Sequence, residues 1–149
     1  MRRFFVLFAI LAFGLSSACK GSETGDRRIS VTMEDGRLVF SDSIRFETDS
    51  DELAAGSTEV LDAIAAFLSS HSGIAAIRIE GHTDQHGAED HNLDLSRRRA
   101  QTVATYLGAH GVTQTMTTEG FGTSRPLCTE STEDCDARNR RVDFFIVSE

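Results

Sequence analysis

Alternating apolar and polar residues near the start of the folded region predict a β-hairpin and a further strand. Residues 29–40, ISVTMEDGRLVF, have apolar side chains at every second position before Asp35-Gly36, which is a two-residue hairpin signal. The next segment, SIRFETDS, places Ile44 and Phe46 on one face. This spacing predicts a strand that ends at the acidic residues that follow.

Three later segments are also predicted to be strands. IAAIRIEG alternates Ile77 and Ile79 with charged residues, and TMTTEGFG is a short strand that runs into a glycine turn. In the last segment, RRVDFFIVS, four side chains are expected to share one face: Arg140, Val142, Phe144 and Ile146.

Two segments follow the helical period instead. The first helix is expected to begin near a candidate N-cap at Ser57 and to stop at Gly73. Its apolar stripe consists of Val60, Leu61, Ile64, Phe67 and Leu68. The second helix is expected over roughly residues 93–110, and Gly111 ends it. Its stripe consists of Ala100, Val103, Ala104 and Leu107.

The resulting element order is β-β-α-β-α-β-β. Because helices alternate with single strands, they must pack on one sheet. The predicted fold class is α+β, a two-layer sandwich in which a mixed β-sheet carries its helices on one face. A chain of 149 residues accommodates one such domain with additional ends.

The first eighteen residues are typical of a secretory signal peptide. Two arginines precede an apolar run that is too short to span a bilayer, and Ser16-Ser17-Ala18 supplies small residues for cleavage. LSSAC resembles a bacterial lipobox, which predicts that Cys19 is the lipidated mature N-terminus. Leu15 stands four residues before Cys19 rather than three, and an ordinary signal peptidase would leave Cys19 a free thiol. Residues 19–28 are then a short tether, and residues 29–149 form the domain.

Charge and cysteine count narrow the class of protein. The net charge of -8 argues against nucleic-acid binding, which needs a basic surface. An exported chain with three cysteines leaves one unpaired. If Cys19 carries lipid, Cys128 and Cys135 remain, and we expect them to form a disulfide in an oxidising compartment.

The stretch EGHTDQHGAEDHNLDLSRRRA, residues 80–100, is compatible with a metal site. His82, Asp84 and His86 alternate, Asp90 and His91 follow, and such nitrogen and oxygen ligands suit zinc. The neighbouring glycines predict a loop, however. In a loop, His82 is expected to be a hydrogen-bonded turn residue, and the other two histidines are expected to be solvated.

The same stretch is also compatible with a pocket for a charged small molecule. On a helix, Arg98 lies opposite the apolar stripe and is expected to be solvated, whereas Arg97 and Arg99 flank the stripe. A guanidinium at that border presents a planar fork to a carboxylate. Together with Asp84 it would bind a zwitterion. Helix geometry leaves open which arginine faces Asp84, and whether the two form a salt bridge of the fold instead.

Several spaced motifs resemble the OmpA-like C-terminal domain family, a peptidoglycan-binding module. The family pattern is GHTD, a glycine three residues on, and Asn-x-x-Leu-Ser-x-x-Arg-Ala. The matching residues here are Gly81 to Asp84, Gly87, Asn92, Leu95, Ser96, Arg99 and Ala100. IRFETDSDEL, Gly120-Phe121-Gly122 with Pro126, and Asn139-Arg140-Arg141-Val142 also fit, so the resemblance covers roughly residues 37–149. It implies a β-α-β-α-β-β core with an extra N-terminal hairpin.

The resemblance implies non-covalent binding of the diaminopimelate residue of the peptidoglycan stem peptide, with neither catalysis nor a cofactor. It makes Asp84 and Arg99 the principal contacts, in preference to Arg97. Other implied pocket residues are Phe46, Glu47, Thr83, Asn92 and Leu95, with Arg140 as a weaker candidate. The sequence departs from the family at Glu47, where the family often has Asp. It also departs at Asp136, where many members have Arg, which puts a ligand role there in doubt.

These features predict a lipoprotein of the outer membrane whose periplasmic domain anchors that membrane to peptidoglycan. One alternative is a metal-dependent periplasmic hydrolase that uses His82, Asp84 and His86. Another is a soluble periplasmic assembly protein that uses the same fold to bind a protein partner. The sequence names no such partner.

Overall fold

The computed structural model describes residues 28–148, which form five strands and three helices. The strands are β1 (Val31–Glu34), β2 (Arg37–Phe40), β3 (Ala76–Gly81), β4 (Thr115–Gly120) and β5 (Val142–Ser148). The helices are α1 (Ser57–Ser70), α2 (Glu89–Ala109) and α3 (Glu133–Asn139). The predicted signal peptide, Cys19 and the tether up to residue 27 lie outside the described residues. Within residues 28–148, no helix has the length and apolarity that a bilayer crossing requires.

The sheet has the strand order β1-β2-β5-β3-β4. The pair β3–β4 is parallel, with α2 as its crossover, and the pairs β1–β2, β2–β5 and β3–β5 are antiparallel. The predicted α+β class with a mixed sheet is therefore confirmed, and so is the hairpin, whose turn contains Asp35 and Gly36.

The core lies between the sheet and the two long helices. Ile77 and Ile79 of β3 are fully buried, and Phe144 of β5 is paired with Ile79 in the sheet. The helices contribute their predicted stripes to the same apolar cluster. Arg78 and Glu80 alternate with the buried isoleucines and project to the other face of β3.

The predicted strand SIRFETDS is wrong. Residues 45–54 hydrogen bond to one another, from Ala54 N to the Arg45 carbonyl and from Glu47 N to the Glu52 carbonyl, at 3.0 and 2.9 Å. Because these backbone groups are satisfied within the loop, the segment forms only one isolated bridge, Phe46 with Leu53.

The segment before β5 also differs from the prediction. The chain forms the short helix α3 where a loop was expected, and Arg140 is its C-cap residue. Arg140 therefore does not share a strand face with Val142 and Phe144, because the helix redirects the chain before β5 begins.

The helix ends deviate by a few residues. Gly56, in a left-handed conformation, is the N-cap of α1, and the Ser57 hydroxyl instead bonds the backbone N–H and carbonyl of Arg45. Helix α1 ends at Ser70, before the predicted stop at Gly73. Helix α2 begins at Glu89, four residues before the predicted start, because its first turn is acidic and polar and lies outside the apolar stripe.

Helix α2 packs very closely on the ends of β3 and β4. A Cβ at Gly81 would lie 2.1 Å from the Ser96 carbonyl oxygen, and one at Gly120 would lie 2.6 Å from the Ser96 hydroxyl. That hydroxyl accepts a hydrogen bond from Gly122 N at 2.9 Å. These glycines are required because any side chain would push the helix away from the sheet.

His82 is buried directly after β3. Its ring is 2% exposed, stacks on Phe121 and has no hydrogen-bond partner on either nitrogen among the described residues, contrary to the prediction of a hydrogen-bonded turn residue. Burial, helped by the charge of Arg141, lowers the pKa of His82 to about 4, although Asp143 and Glu80 lie nearby and oppose this.

We predict that Gly81→Ala destabilises the domain by about 1–3 kcal/mol or more, because the new methyl group overlaps the backbone of α2. Gly73→Ala is the matched control, since a Cβ there would meet nothing within 4 Å. The control should change the free energy of unfolding by less than about 1 kcal/mol. Urea unfolding measures both variants, and equal stabilities would contradict the close approach.

We predict that stability falls as the pH is lowered, partly through His82. Its pKa is about 4 in the folded protein and near 6.5 in an unfolded chain, so the unfolded state binds the proton first. The contribution is complete above about pH 6.5 and is lost toward pH 4, by about 3 kcal/mol. Urea unfolding of wild type and His82→Gln over this range should show a weaker pH dependence in the variant. Parallel curves would contradict the assignment.

Candidate functional site

A pocket of about 720 Å³ lies where the loop after β3 meets the N-terminal half of α2. Its other walls are the loop around residues 43–49 and one side of α3. The structure places all eight residues that the sequence suggested for ligand binding around this one pocket. They are Phe46, Glu47, Thr83, Asp84, Asn92, Leu95, Arg99 and Arg140.

Arg99 forms the inner wall of the pocket and directly precedes Ala100, the first residue of the apolar stripe of α2. It is 7% exposed, and its Nε donates to the Ser50 carbonyl at 2.9 Å. Its Nη2 donates to the Glu47 carbonyl at 3.5 Å, and the guanidinium lies over the Phe46 ring, 4.9 Å from the centroid. These contacts fix the plane of the guanidinium against the loop.

The buried charge of Arg99 has no carboxylate partner in the described part of the chain. No acidic oxygen of residues 28–148 lies within 4.0 Å of its guanidinium, and its hydrogen bonds go to neutral carbonyl groups. Burial lowers the pKa of Arg99, and the more distant charge of Asp84 opposes that effect. A cation in this situation favours an anion in the pocket.

Asp84 lies across the pocket in the loop after β3. Its Oδ1 accepts from His86 N at 3.1 Å, and its Oδ2 accepts from Arg140 Nη1 at 2.9 Å. The carboxylate therefore pairs with Arg140 and not with Arg99. The possibility of a structural Asp84–Arg99 salt bridge is contradicted by this geometry.

Arg97 does not contribute to this pocket. It lines a separate shallow groove with Glu119 and Gly120, on the β4 side of α2. Tertiary structure thus selects Arg99 between the two arginines that helix geometry left open, because the 43–49 loop covers only the Arg99 side of the helix.

The remaining lining residues hold the loop after β3 in shape. Thr83 is buried and its hydroxyl donates to the Asp84 carbonyl at 3.1 Å. Asn92, also buried, donates from Nδ2 to the His86 carbonyl at 2.7 Å. Leu95 supplies a buried apolar floor.

Arg98 is exposed, but it is not merely solvated as predicted. It forms ion pairs with Asp94, at 2.9 Å, and with Asp51, whose Oδ1 lies 2.6 Å away. Asp51 belongs to the loop that receives Arg99, so Arg98 bridges helix and loop on the outside of the molecule. Such exposed pairs contribute little to stability.

The three histidines of the metal hypothesis point to different places. His82 is buried near Glu80 and Asp143, His86 bonds to Asp136 at 2.9 Å, and His91 in α2 bonds to Asp49 at 2.6 Å. His86 and His91 are exposed, as predicted, but each is also hydrogen bonded to an acid, and His91 lies in α2 and not in a loop.

Only one group of potential metal ligands converges within residues 28–148. It consists of Cys128, Glu130 and Cys135. Both cysteines of this group are joined in a disulfide, so their sulfurs are already bonded to each other.

Sequence reasoning missed the contribution of α3 to the site. Ala137 lines the pocket from this helix, Asp136 bonds to His86 in the loop after β3, and Arg140 follows the helix. The signal was present: Thr132, followed directly by acidic residues, is a typical helix start. Its side chain caps α3 by accepting from Cys135 N.

Comparison with known proteins identifies the family to which the chain belongs. The OmpA family model matches residues 45–140. The peptidoglycan-associated lipoprotein of Buchnera aphidicola is 34% identical over 106 residues, which are 70% of this chain and 61% of that protein, so the match spans less than two thirds of the relative.

Two solved structures extend the comparison. The peptidoglycan-associated lipoprotein of Burkholderia pseudomallei superposes with a TM-score of 0.59 at 30% identity, covering 69% of this chain and 86% of that one. The cell wall anchor of the T6SS from Pseudomonas aeruginosa superposes with a TM-score of 0.66 at 29% identity, covering 82% and 89%. With the family model matching most of the chain and these relatives sharing its fold, the protein belongs to the OmpA family.

Proposed function

We propose that this protein binds peptidoglycan non-covalently and thereby anchors the outer membrane to the cell wall. The observation that carries the proposal is Arg99, a buried cation with no carboxylate partner in the described chain, facing a pocket that also holds Asp84. Relatives named peptidoglycan-associated lipoprotein and cell wall anchor have the same fold, which supports this assignment.

The ligand that fits the pocket is a free amino acid centre, and we assign it to the diaminopimelate of the stem peptide. Its carboxylate would meet the guanidinium of Arg99, and its ammonium would meet Asp84. Asp84 has capacity for this contact, since a carboxylate accepts about four hydrogen bonds and two are in use. The apolar floor at Leu95 and the ring of Phe46 suit the methylene chain between the charged ends.

Among the described residues that line the pocket, we find no nucleophile paired with a base. The described residues around the pocket act by hydrogen bonding and charge: they hold the ligand and leave its bonds unchanged. We therefore propose a structural anchor without catalytic activity, which requires no cofactor.

We further propose that the anchor on the membrane side is lipid on Cys19. The basic start, the apolar run and the small residues before Cys19 support export and lipidation, with the domain in the periplasm and the lipid in the outer membrane. The tether between Cys19 and β1 is short: about ten residues span at most about 35 Å.

We predict that Asp84→Ala and Arg99→Ala each abolish detectable co-sedimentation with purified sacculi. Each substitution leaves the opposite ligand charge unmatched, which costs about 2–5 kcal/mol for a buried pair. A site of micromolar affinity would lose measurable binding. Circular dichroism and thermal unfolding check that the variants are folded.

Arg98→Ala is the matched control, because it removes the same charge one residue away, outside the pocket. It should leave binding within about threefold, since exposed pairs contribute little. Sacculi in which lysine replaces diaminopimelate lack the carboxylate at this centre and should bind weakly to wild type. If Arg98→Ala weakens binding as much as Arg99→Ala, or if both types of sacculi bind equally, the assignment of the ligand to Arg99 fails.

We predict that the mature protein begins at Cys19 and carries lipid. Lipid adds hydrophobic chains that partition into detergent and raise the mass of the N-terminal peptide. Mass spectrometry of the protein from native membranes shows whether the N-terminal peptide begins at Cys19 and carries lipid, with Cys19→Ser as the unlipidated control. An unmodified N-terminus at Cys19 or Lys20 would refute the anchor but leave the peptidoglycan site unaffected.

A further inference from the structure

Helix α3 makes two separate contacts with the loop that carries Asp84. Asp136 Oδ2 lies 2.9 Å from His86 Nε2, and Arg140, at the end of the helix, donates to Asp84 Oδ2 at 2.9 Å. Arg140 also pairs with Glu133 at the start of α3. The orientation of the Asp84 carboxylate therefore depends on where α3 lies.

His86 joins three parts of the site. Its backbone N–H donates to Asp84 Oδ1, its carbonyl accepts from Asn92 Nδ2, and its side chain bonds to Asp136. A shift of Asp136 would therefore act on both the carboxylate and the helix α2 side of the pocket. Asp136 touches none of the space where the ligand would bind, so it would act through His86.

Two contacts connect helix α3 to the segment before it. Cys135, in its first turn, is bonded to Cys128 through the disulfide. Asn139, fully buried in its last turn, accepts from Leu127 N at 2.8 Å and donates to the Cys128 carbonyl at 3.0 Å. Of these two contacts, the disulfide is the nearer to Asp136 in sequence, because Asp136 directly follows Cys135.

We propose that Asp136 is a positioning residue for the ligand site, and that the Cys128–Cys135 disulfide couples ligand affinity to oxidation. With the disulfide closed, α3 holds His86 and Arg140 against Asp84. With it open, the first turn of this short helix is free to separate, and Asp84 loses part of its fixed orientation. This inference rests on the peptidoglycan function proposed above.

The chemical step is an ordinary thiol–disulfide exchange. A dithiol reductant attacks the half-exposed Cys128 sulfur, gives up two electrons and two protons, and becomes a disulfide itself. Cys128 and Cys135 are left as two thiols. Reoxidation by a disulfide oxidant reverses the step and restores the Cys128–Cys135 disulfide.

The contact between His86 and Asp136 should also give the site a pH dependence. The hydrogen bond to Asp136, and then the negative charges of Asp136, Asp84 and Glu133, raise the pKa of His86. A raised pKa means that the contact is strongest when His86 is protonated, and it weakens as the pH rises through that pKa. Affinity for the wall should fall over the same range.

The test is co-sedimentation of the full chain with diaminopimelate-containing sacculi, comparing wild type, Asp136→Asn, Asp134→Asn and the double variant Cys128→Ser/Cys135→Ser. Asp134 is the matched control, since it is an exposed acid of the same helix and makes no hydrogen bond or ion pair with the described residues of the site. We expect Asp136→Asn and the double serine variant to bind about three- to tenfold more weakly, the range that a net hydrogen bond supplies. Asp134→Asn should bind as wild type.

Reductant should weaken binding of wild type and leave the double serine variant unchanged. Between about pH 6 and pH 8 the affinity of wild type should fall, and this fall should be smaller in Asp136→Asn. Equal binding of wild type, Asp136→Asn and the double serine variant would overturn the proposal, as would an equal loss in Asp134→Asn. Circular dichroism of each variant shows whether a loss reflects unfolding.

A second measurement separates this proposal from the function on which it rests. NMR titration of His86 reports its contact with Asp136 without any ligand, and its pKa should fall when the disulfide is reduced or Asp136 is replaced. If wild type does not bind sacculi, the proposed function fails, and the coupling is then judged by this titration alone. A His86 pKa that reduction leaves unchanged overturns the coupling.

Discussion

The close approach of helix α2 to the ends of β3 and β4 is the constraint on which the rest of the site depends. At Gly81 and Gly120 the helix backbone and the Ser96 side chain occupy the space where a Cβ would lie. The hydrogen bond from Gly122 N to the Ser96 hydroxyl fixes the helix at this distance. One turn on either side of Ser96 lie Asn92 and Arg99, so the contact places both beside the loop that follows β3.

Once helix α2 is in place, the charge that the pocket offers to a ligand depends on which side chains lack a partner of opposite charge. Asp84 is paired with Arg140, and Arg98 is paired with Asp51 and Asp94, but the buried Arg99 has only carbonyl oxygens as partners in the described chain. Most of its surroundings are already dehydrated, so a carboxylate arriving there regains the electrostatic stabilisation that the site otherwise lacks. A similar guanidinium at Arg97, on the opposite border of the same stripe, faces an open groove.

The wall of the pocket that helix α3 forms depends on a small number of contacts. Helix α3 has only seven residues, too few to be stable alone, and depends on a disulfide, a Thr132 cap and the buried amide of Asn139. Binding sites often use such locally held elements, because the same contacts that fix them also allow control. The carboxylate of Asp136 pairs with His86 and so supports the loop after β3 rather than the pocket interior.

Sequence alone determined the features that arise from local chemistry. Alternation and helical period predicted the hairpin, two long helices and most strands, because burial on one face imposes those periods on any chain. The spaced motifs led to the family and to a set of residues that the structure gathers around one pocket. The signals failed where neighbours in space decide: residues 45–54 satisfied their backbone within a loop, and α3 formed in a segment without apolar periodicity.

Only the tertiary structure decided which charges meet. A helical wheel placed Arg97 and Arg99 symmetrically, and the choice followed from the loop that covers one side of α2. Likewise, Asp84 pairs with Arg140 and not with Arg99, and His86 bonds to Asp136. The ring nitrogens of His82, by contrast, are buried without a hydrogen-bond partner in the described chain. The pair His86–Asp136 is 50 positions apart in sequence and the pair Asp84–Arg140 is 56 apart, so no local pattern encodes either contact. Periodicity reports which face of an element is buried, whereas the partner of a charge is set by how separate elements pack.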